Sequence, residues 1–275
     1  MKKILLVGAK GMFGQDAEPI FVAAGYDVTS ATRADFDITK LSQVENFFAD
    51  KFFDWVVNAA AYTKVDDAQK EQEIAFAVNS IGAKNVALVA AQKNIPVIFI
   101  STDYVFDGAK NSHYLPDDKV NPQTIYGASK LAGEENVKAV NRCHYIVRTS
   151  WLYGRYGKNF VDTMLNLAKN QQVVKVVNDQ FGCPTWTCDL AQGLLKLMAS
   201  NSPFGTYQIC GAGVVSWFEF AKKIFEIAGV EMKVLPVTTE ELPRPAPRPK
   251  YSAMNNGGLC RFWEDGLRSY LESRR

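Results

Sequence analysis

The sequence predicts an α/β fold, a doubly wound parallel sheet with a smaller C-terminal domain. Three observations predict it. Short apolar runs rich in β-formers alternate with longer stretches of helical period. The first strand-to-helix junction is a glycine-rich turn. After residue 147 the alternation loosens, and aromatic and proline-rich segments take over. Alternation on this scale buries a parallel sheet between two helical layers.

The runs 3–7, 26–30, 55–58, 97–100 and 145–147 read as strands, and 12–24, 41–50, 74–93 and 128–140 as the helices between them. Pro19 is expected to bend the first helix. Beyond them the expectation is a helix near 159–169, a strand at 173–177 and a helix at 189–199. A strand at 207–210, a helix at 217–228 and a short strand near 234–237 follow. Four prolines in 243–249 exclude regular structure there, so an extended loop is expected. Because 173–177 and the helix after it look like sheet elements, the larger domain is expected from 1–151 and about 173–201. The smaller, discontinuous one takes 152–172 and 202–275, with a site in the cleft between them.

With 275 residues, 47% hydrophobic and 22% charged, the chain can bury a core without metals or disulfides. A net charge of +2 with no basic block argues against nucleic acid. The apolar run at the start is at most five residues and ends in glycine, so it reads as a strand rather than a signal peptide. No stretch reads as a membrane span, and a cytoplasmic protein is expected. The five cysteines are scattered without a CxxC pair, as reduced side chains would be. Only His113 and His144 are present, which argues against a histidine-held zinc ion or a Ser-His-Asp triad, and no metal ligand is assigned.

Gly8-Ala9-Lys10-Gly11-Met12-Phe13-Gly14 follows the first strand and opens the first helix. Glycines at these spacings turn the chain tightly and let backbone N–H groups approach a pyrophosphate, which the helix N-terminus favours. A Rossmann-like cofactor site for NAD(P) is therefore expected at Gly8, Gly11, Met12, Phe13 and Gly14. An acid after the second strand would hold the ribose 2′-hydroxyl of NAD; Arg33 suits the 2′-phosphate of NADPH, although surface arginines are common. Asp37 and Ile38 are placed to flank the adenine.

Tyr126-Gly127-Ala128-Ser129-Lys130 sets a phenol and an ammonium four residues apart, on one face of a helix. A positive charge beside a phenol is expected to lower its pKa from about 10 and make it a usable proton donor. This is the chain's one Tyr-x-x-x-Lys; the spacing arises easily by chance, and its position after the fourth strand gives it weight. Thr102 ends that strand, where open sheets bind ligands, and is expected to donate to a substrate oxygen.

With these segments the chain resembles the extended short-chain dehydrogenases/reductases and, within them, the reductases of dTDP-4-dehydrorhamnose. The resemblance runs through nearly the whole chain. It is carried by the glycine turn, by Asn58–Asp66, by the tract Ser101-Thr102-Asp103-Tyr104-Val105-Phe106-Asp107-Gly108 and by the Tyr126–Lys130 pair. Arg148–Gly154, Asp179–Thr185 and Arg244–Lys250 add to it. The resemblance implies NADPH- or NADH-dependent reduction of the C4 ketone of a dTDP-4-keto-6-deoxy sugar to dTDP-L-rhamnose, a cell-wall polysaccharide precursor. It implies that Thr102, Tyr126 and Lys130 form the catalytic set and that Lys130 also holds the nicotinamide ribose. Ala59, Ala60 and Ala61 would line the cofactor; Thr63, Val65, Tyr104 and Trp151 would contact the sugar or its nucleotide, and Arg248 and Lys250 would reach the diphosphate.

Related dehydratases carry an acid directly after Thr-Asp; Tyr104 stands there, which favours plain reduction. Gln15-Asp16-Ala17 departs from the family's run after the third glycine and puts helix–strand packing in doubt. Some members dimerise through magnesium; Asp16 and Asp189 fall near comparable places, though two surface aspartates need no metal. Monomer and homodimer stay open. Two other readings stay open too: a reductase of another nucleotide-4-keto-6-deoxy sugar, and a non-catalytic NADP-binding regulatory subunit.

Overall fold

A computed structural model describes residues 1–200 and 202–274. In chain order its elements are β1 Lys3–Val7, α1 Met12–Ala23, β2 Asp27–Ala31, α2 Leu41–Phe48, β3 Trp55–Asn58, α3 Val65–Ala68, α4 Gln72–Phe76 and, after a π-helical turn over Ala77–Gly82, α5 Ala83–Gln92. They continue with β4 Val97–Thr102, α6 Ile125–Val140, β5 His144–Thr149, β6 Leu152–Tyr153, α7 Phe160–Leu167, β7 Val173–Val177, β8 Phe181–Gly182, β9 Thr185–Trp186 and α8 Thr187–Ala199. Last come β10 Gly205–Gln208, β11 Val215–Ser216, α9 Trp217–Ala228, β12 Lys233–Val237 and α10 Trp263–Glu272.

Six strands form one parallel sheet in the order β10-β5-β4-β3-β1-β2. Successive side chains of a strand face opposite ways, so each strand feeds two cores. Leu5, Val7, Val56, Phe99 and Ile146 face α2, α5 and α6. Ile4, Leu6, Val57, Ile98 and Val147 face α1 and α8. The doubly wound α/β fold read from the sequence is thus present. Pro19 lies inside α1, which runs on to Ala23. Ala17 is fully buried in the second core, so the unusual run after Gly14 still packs its helix on the sheet.

The expected domain boundaries need correction. Residues 173–177 do form a strand, but β7 pairs with β12, away from the main sheet. Conversely β10, assigned by sequence to the smaller part, extends the main sheet beside β5. Alternating exposed and buried residues along β7 show the reason: only Val174 and Val176 have a core to enter, and that core is the aromatic one of α7, α9 and α10. There Tyr153, Phe220, Trp263 and Tyr270 pack together. Helix α9 is bounded at both ends: Ser216 Oγ accepts from the Glu219 N–H at 3.1 Å, and Gly229 ends it at φ 66°.

A second correction concerns membranes. The 21 residues Gln72–Gln92 are by length and composition long and apolar enough to cross one, where no such stretch is expected from the sequence. Their apolar residues Ala83, Val86, Ala87, Val89 and Ala90 are buried in the sheet's first core, as in a core helix.

Candidate active site

The carboxyl ends of β1 to β5 open onto one cleft. Its two cavities share Gly8, Gly11, Ala59 and Ala61. The first, about 390 Å³, is lined by Arg33, Asp37, Ile38 and Ala60 besides the shared residues. The second, about 450 Å³, takes in Met12, Phe13, Gly14, Thr63, Val65, Thr102, Tyr104, Tyr126, Lys130 and Trp151. Every site residue read from the sequence except Arg248 and Lys250 therefore lines this cleft. Arg248 lies in an adjoining cavity of about 330 Å³ that shares Tyr104 and also holds Lys250.

The glycine turn is shaped by what it excludes. Gly8 sits at φ 85°, and a Cβ there would come 2.6 Å from the Ala60 amide nitrogen. A Cβ on Gly14 would meet Ala9 Cα and the Gly8 carbonyl, each at 2.6 Å. Both glycines thus pack backbone on backbone, and no side chain caps the N-terminus of α1. Such a terminus beside a bare backbone turn fits a pyrophosphate. At the far end of the first cavity the exposed Arg33 lies 3.5 Å from Asp37. Burial opposes ionisation of Asp37, yet the Thr39 amide and hydroxyl hold its carboxyl below the usual range.

The loop after β3 is held by a residue the sequence reading missed. Asn79, within the π-helical turn, accepts from the Tyr62 N–H at 2.8 Å. It donates to the Tyr62 carbonyl at 3.0 Å and to Ser129 Oγ at 2.9 Å. One buried amide thus ties the cofactor-side loop to the helix that carries Tyr126 and Lys130. A π-helical turn of six residues is too short to set a period of its own, so hydrophobic spacing does not reveal it.

Tyr126 and Lys130 stand in the first turns of α6, whose N-cap Thr124 accepts from the Gly127 N–H at 3.0 Å. Burial pushes the Tyr126 phenol up to about 12; the Thr102 hydroxyl pulls it down and Asp103 pushes it further up. Burial pulls Lys130 down to about 7, opposed by Glu134. The expectation that the ammonium lowers the phenol's pKa is therefore not met. Lys130 Nζ instead donates to the Ile100 carbonyl at 2.7 Å and sits 4.0 Å from the Phe99 ring centroid, and desolvation dominates both groups. Thr102 also differs from expectation: its hydroxyl donates to Asp103 Oδ1 at 3.0 Å while accepting from the Tyr104 N–H at 3.2 Å. Donation to a substrate oxygen requires exchanging the first of these bonds.

Two further groups shape the site. Glu134, one turn beyond Lys130, is fully buried. It accepts from Ser101 Oγ at 2.6 Å and from Arg148 Nε and Nη2 at 2.9 and 2.7 Å, joining β4, α6 and β5 below the cleft. Asp66, at the start of α3, takes the Arg248 guanidinium in a two-point pair at 2.8 and 2.9 Å. That pair straps the proline-rich loop beside the Tyr104 end of the cleft, and Arg248 holds the Asp66 carboxyl below its usual range. The acids raised for magnesium do not suit a shared ion. Asp16 accepts from Thr187 Oγ1 and the Arg155 N–H, and Asp189 is paired with Arg261. No group of three or more potential metal ligands occurs among the described residues.

A glycine-turn cleft in a doubly wound sheet, with a tyrosine and a lysine on one helix beside it, defines an NAD(P)-binding protein of the short-chain dehydrogenase/reductase type. The chain belongs to the family described as "RmlD substrate binding domain", which it matches over residues 1–273. It is 41% identical over 280 residues to the spore coat polysaccharide biosynthesis protein SpsK of Bacillus subtilis, covering 100% of this chain and 98% of that one. It is also 41% identical over 277 residues to a dTDP-4-dehydrorhamnose reductase of Sinorhizobium fredii, covering 96% and 94%. The crystal structure of a dTDP-4-dehydrorhamnose reductase from Bacillus anthracis in complex with NADP superposes with a TM-score of 0.96 at 41% identity, covering 99% of this chain and 100% of that chain.

Proposed function

We propose that this chain reduces the C4 ketone of dTDP-4-dehydrorhamnose to dTDP-L-rhamnose, with NADPH as the preferred reductant, in the cytoplasm. The observation that carries the reading is the convergence of Thr102, Tyr126 and Lys130 in one cavity with the glycine turn. The names of the relatives supply the sugar. Arg33 in the first cavity and the NADP-bound relative support NADPH over NADH. Free thiols at all five cysteines suit a reducing compartment.

The glycine turn and α1 N-terminus would hold the pyrophosphate, Arg33 the 2′-phosphate, Asp37 and Ile38 the adenine side, and Ala59–Ala61 the rest of the cofactor's length. When bound, the reduced nicotinamide supplies a hydride to the carbonyl carbon. The chain supplies the proton. A buried phenol with a raised pKa keeps its proton until the ketone oxygen needs one, and Tyr126 transfers it there. The Thr102 hydroxyl then stabilises the phenolate, and Lys130 would hold the nicotinamide ribose. Thr63, Val65, Tyr104 and Trp151 hold the sugar, and the Asp66–Arg248 strap closes the nucleotide side. Tyr104 places a phenol where an elimination would need a carboxylate.

The purified protein is expected to oxidise NADPH only when a dTDP-4-keto-6-deoxy sugar is supplied, and product analysis is expected to show dTDP-L-rhamnose. Absence of sugar-dependent NADPH loss across a panel of nucleotide-4-keto-6-deoxy sugars, with NADPH binding retained, would overturn the reading in favour of a binding subunit.

A further inference from the structure

Trp151 is held in a strained position. Its φ of 47° lies in the left-handed region, which a bulky side chain occupies only at a steric cost met by its surroundings. Two neighbours supply the restraint. On one side Gly182 leaves room for the indole: a Cβ there would sit 2.6 Å from Trp151 Nε1 and 2.7 Å from Cζ2. On the other side the ring stacks on Trp217, with centroids 3.5 Å apart and planes inclined by 5°. Trp217 starts α9 and in turn leans on Phe160, at 4.4 Å between centroids. Trp151 lines the cavity that holds Tyr126 and Lys130, whereas Trp217 is not among the residues lining it. Trp217 therefore touches the cavity's lining at Trp151, the lining residue it stacks on.

We propose that Trp217 is a positioning residue for sugar recognition: by stacking on one face of Trp151, whose other face Gly182 covers in part, it fixes where the remaining indole surface meets the sugar. The inference deepens the reductase reading and rests on it. The benefit of an indole's contact with a sugar depends on its placement, and a residue in the left-handed region relaxes once its packing is removed. The α9 segment thereby sets how far the sugar's carbonyl lies from Tyr126, although no residue of α9 lines the cavity.

The test compares Trp217→Ala, Trp217→Phe and Gly182→Ala with the wild-type chain. The readouts are the KM for the dTDP-4-keto sugar, the KM for NADPH, and the near-ultraviolet circular dichroism of the stacked indoles. Trp217→Ala is expected to abolish the stacked-indole signal and raise the sugar-nucleotide KM about five- to tenfold, leaving the NADPH KM unchanged. Trp217→Phe, which keeps a flat ring, is expected to restore most of the affinity. Gly182→Ala pushes the Trp151 ring from the opposite face and is expected to raise the same KM. Loss of the indole signal with a wild-type sugar KM would overturn the proposal, as would equal rises in both KM values without rescue by phenylalanine. A wild-type chain that bound the sugar nucleotide without turning it over would end the reductase reading instead. Calorimetric titration of the same variants with the sugar nucleotide would then decide the role of Trp217.

Discussion

The two ends of the cleft are built from different material. The cofactor end is walled largely by backbone: the glycine turn packs on Ala9 and Ala60, and Asn79 ties the Tyr62 peptide to α6. The sugar end is walled by side chains that hold other side chains. Trp151 rests on Trp217, Tyr104 meets Tyr126 edge-on at 5.5 Å, and Arg248 is bound to Asp66. A backbone wall presents the same N–H groups whatever most of its side chains are, and it fails only where a Cβ cannot fit. A side-chain wall can be retuned residue by residue, which suits the end that must recognise one sugar.

Substitutions can break or sharpen this contrast. The largest expected effect lies below the cleft, where β4, α6 and β5 meet. Glu134→Gln leaves the buried Arg148 charge uncompensated and is expected to cost about 3–5 kcal/mol of stability; denaturant unfolding measures it, and a loss below about 1 kcal/mol would contradict this. Next comes Gly14→Ala, whose new Cβ must part α1 from the turn at a cost of about 1–3 kcal/mol. Its NADPH affinity is expected to fall by roughly tenfold or more, read by calorimetry.

Arg248→Met is expected to act on the sugar end alone, raising the sugar-nucleotide KM about tenfold while NADPH binding is unchanged. The Asp66 carboxyl is depressed in the folded state, so this strap is at full strength above the ordinary carboxylate pKa of about 4. It weakens as pH falls through the depressed value, and Arg248→Met is expected to remove that acid-side weakening. The smallest effect belongs to Arg33→Ala. Its side chain is 87% exposed, so the ratio of NADPH to NADH efficiency is expected to fall only about threefold.

The contrast also explains what the sequence made legible. The strands β1 and β3 and the residues of the glycine turn are local patterns, and the sheet they belong to follows from alternation alone. Strand β7 has the same local pattern, but its partner β12 lies some sixty residues further on, so its membership of a sheet was misjudged. The C-terminal helix α10 is hard to read from sequence because its polar residues dilute the period. Even so, Trp263, Leu267, Tyr270 and Leu271 mark one buried face at helical spacing. Trp217 and Glu134 act across the fold on partners far away in sequence, and no local spacing announces either. The raised pKa of Tyr126 depends on its burial, which is a property of the folded cleft.

The central claim is that the two halves meet at one proton donor. Tyr126→Phe tests it most directly, with turnover of the dTDP-4-keto sugar and the affinities for NADPH and sugar nucleotide measured on the same sample. In this variant kcat is expected to fall by about 10²–10⁴-fold while both affinities stay near the wild-type values. A phenylalanine variant that turns over at the wild-type rate would contradict it.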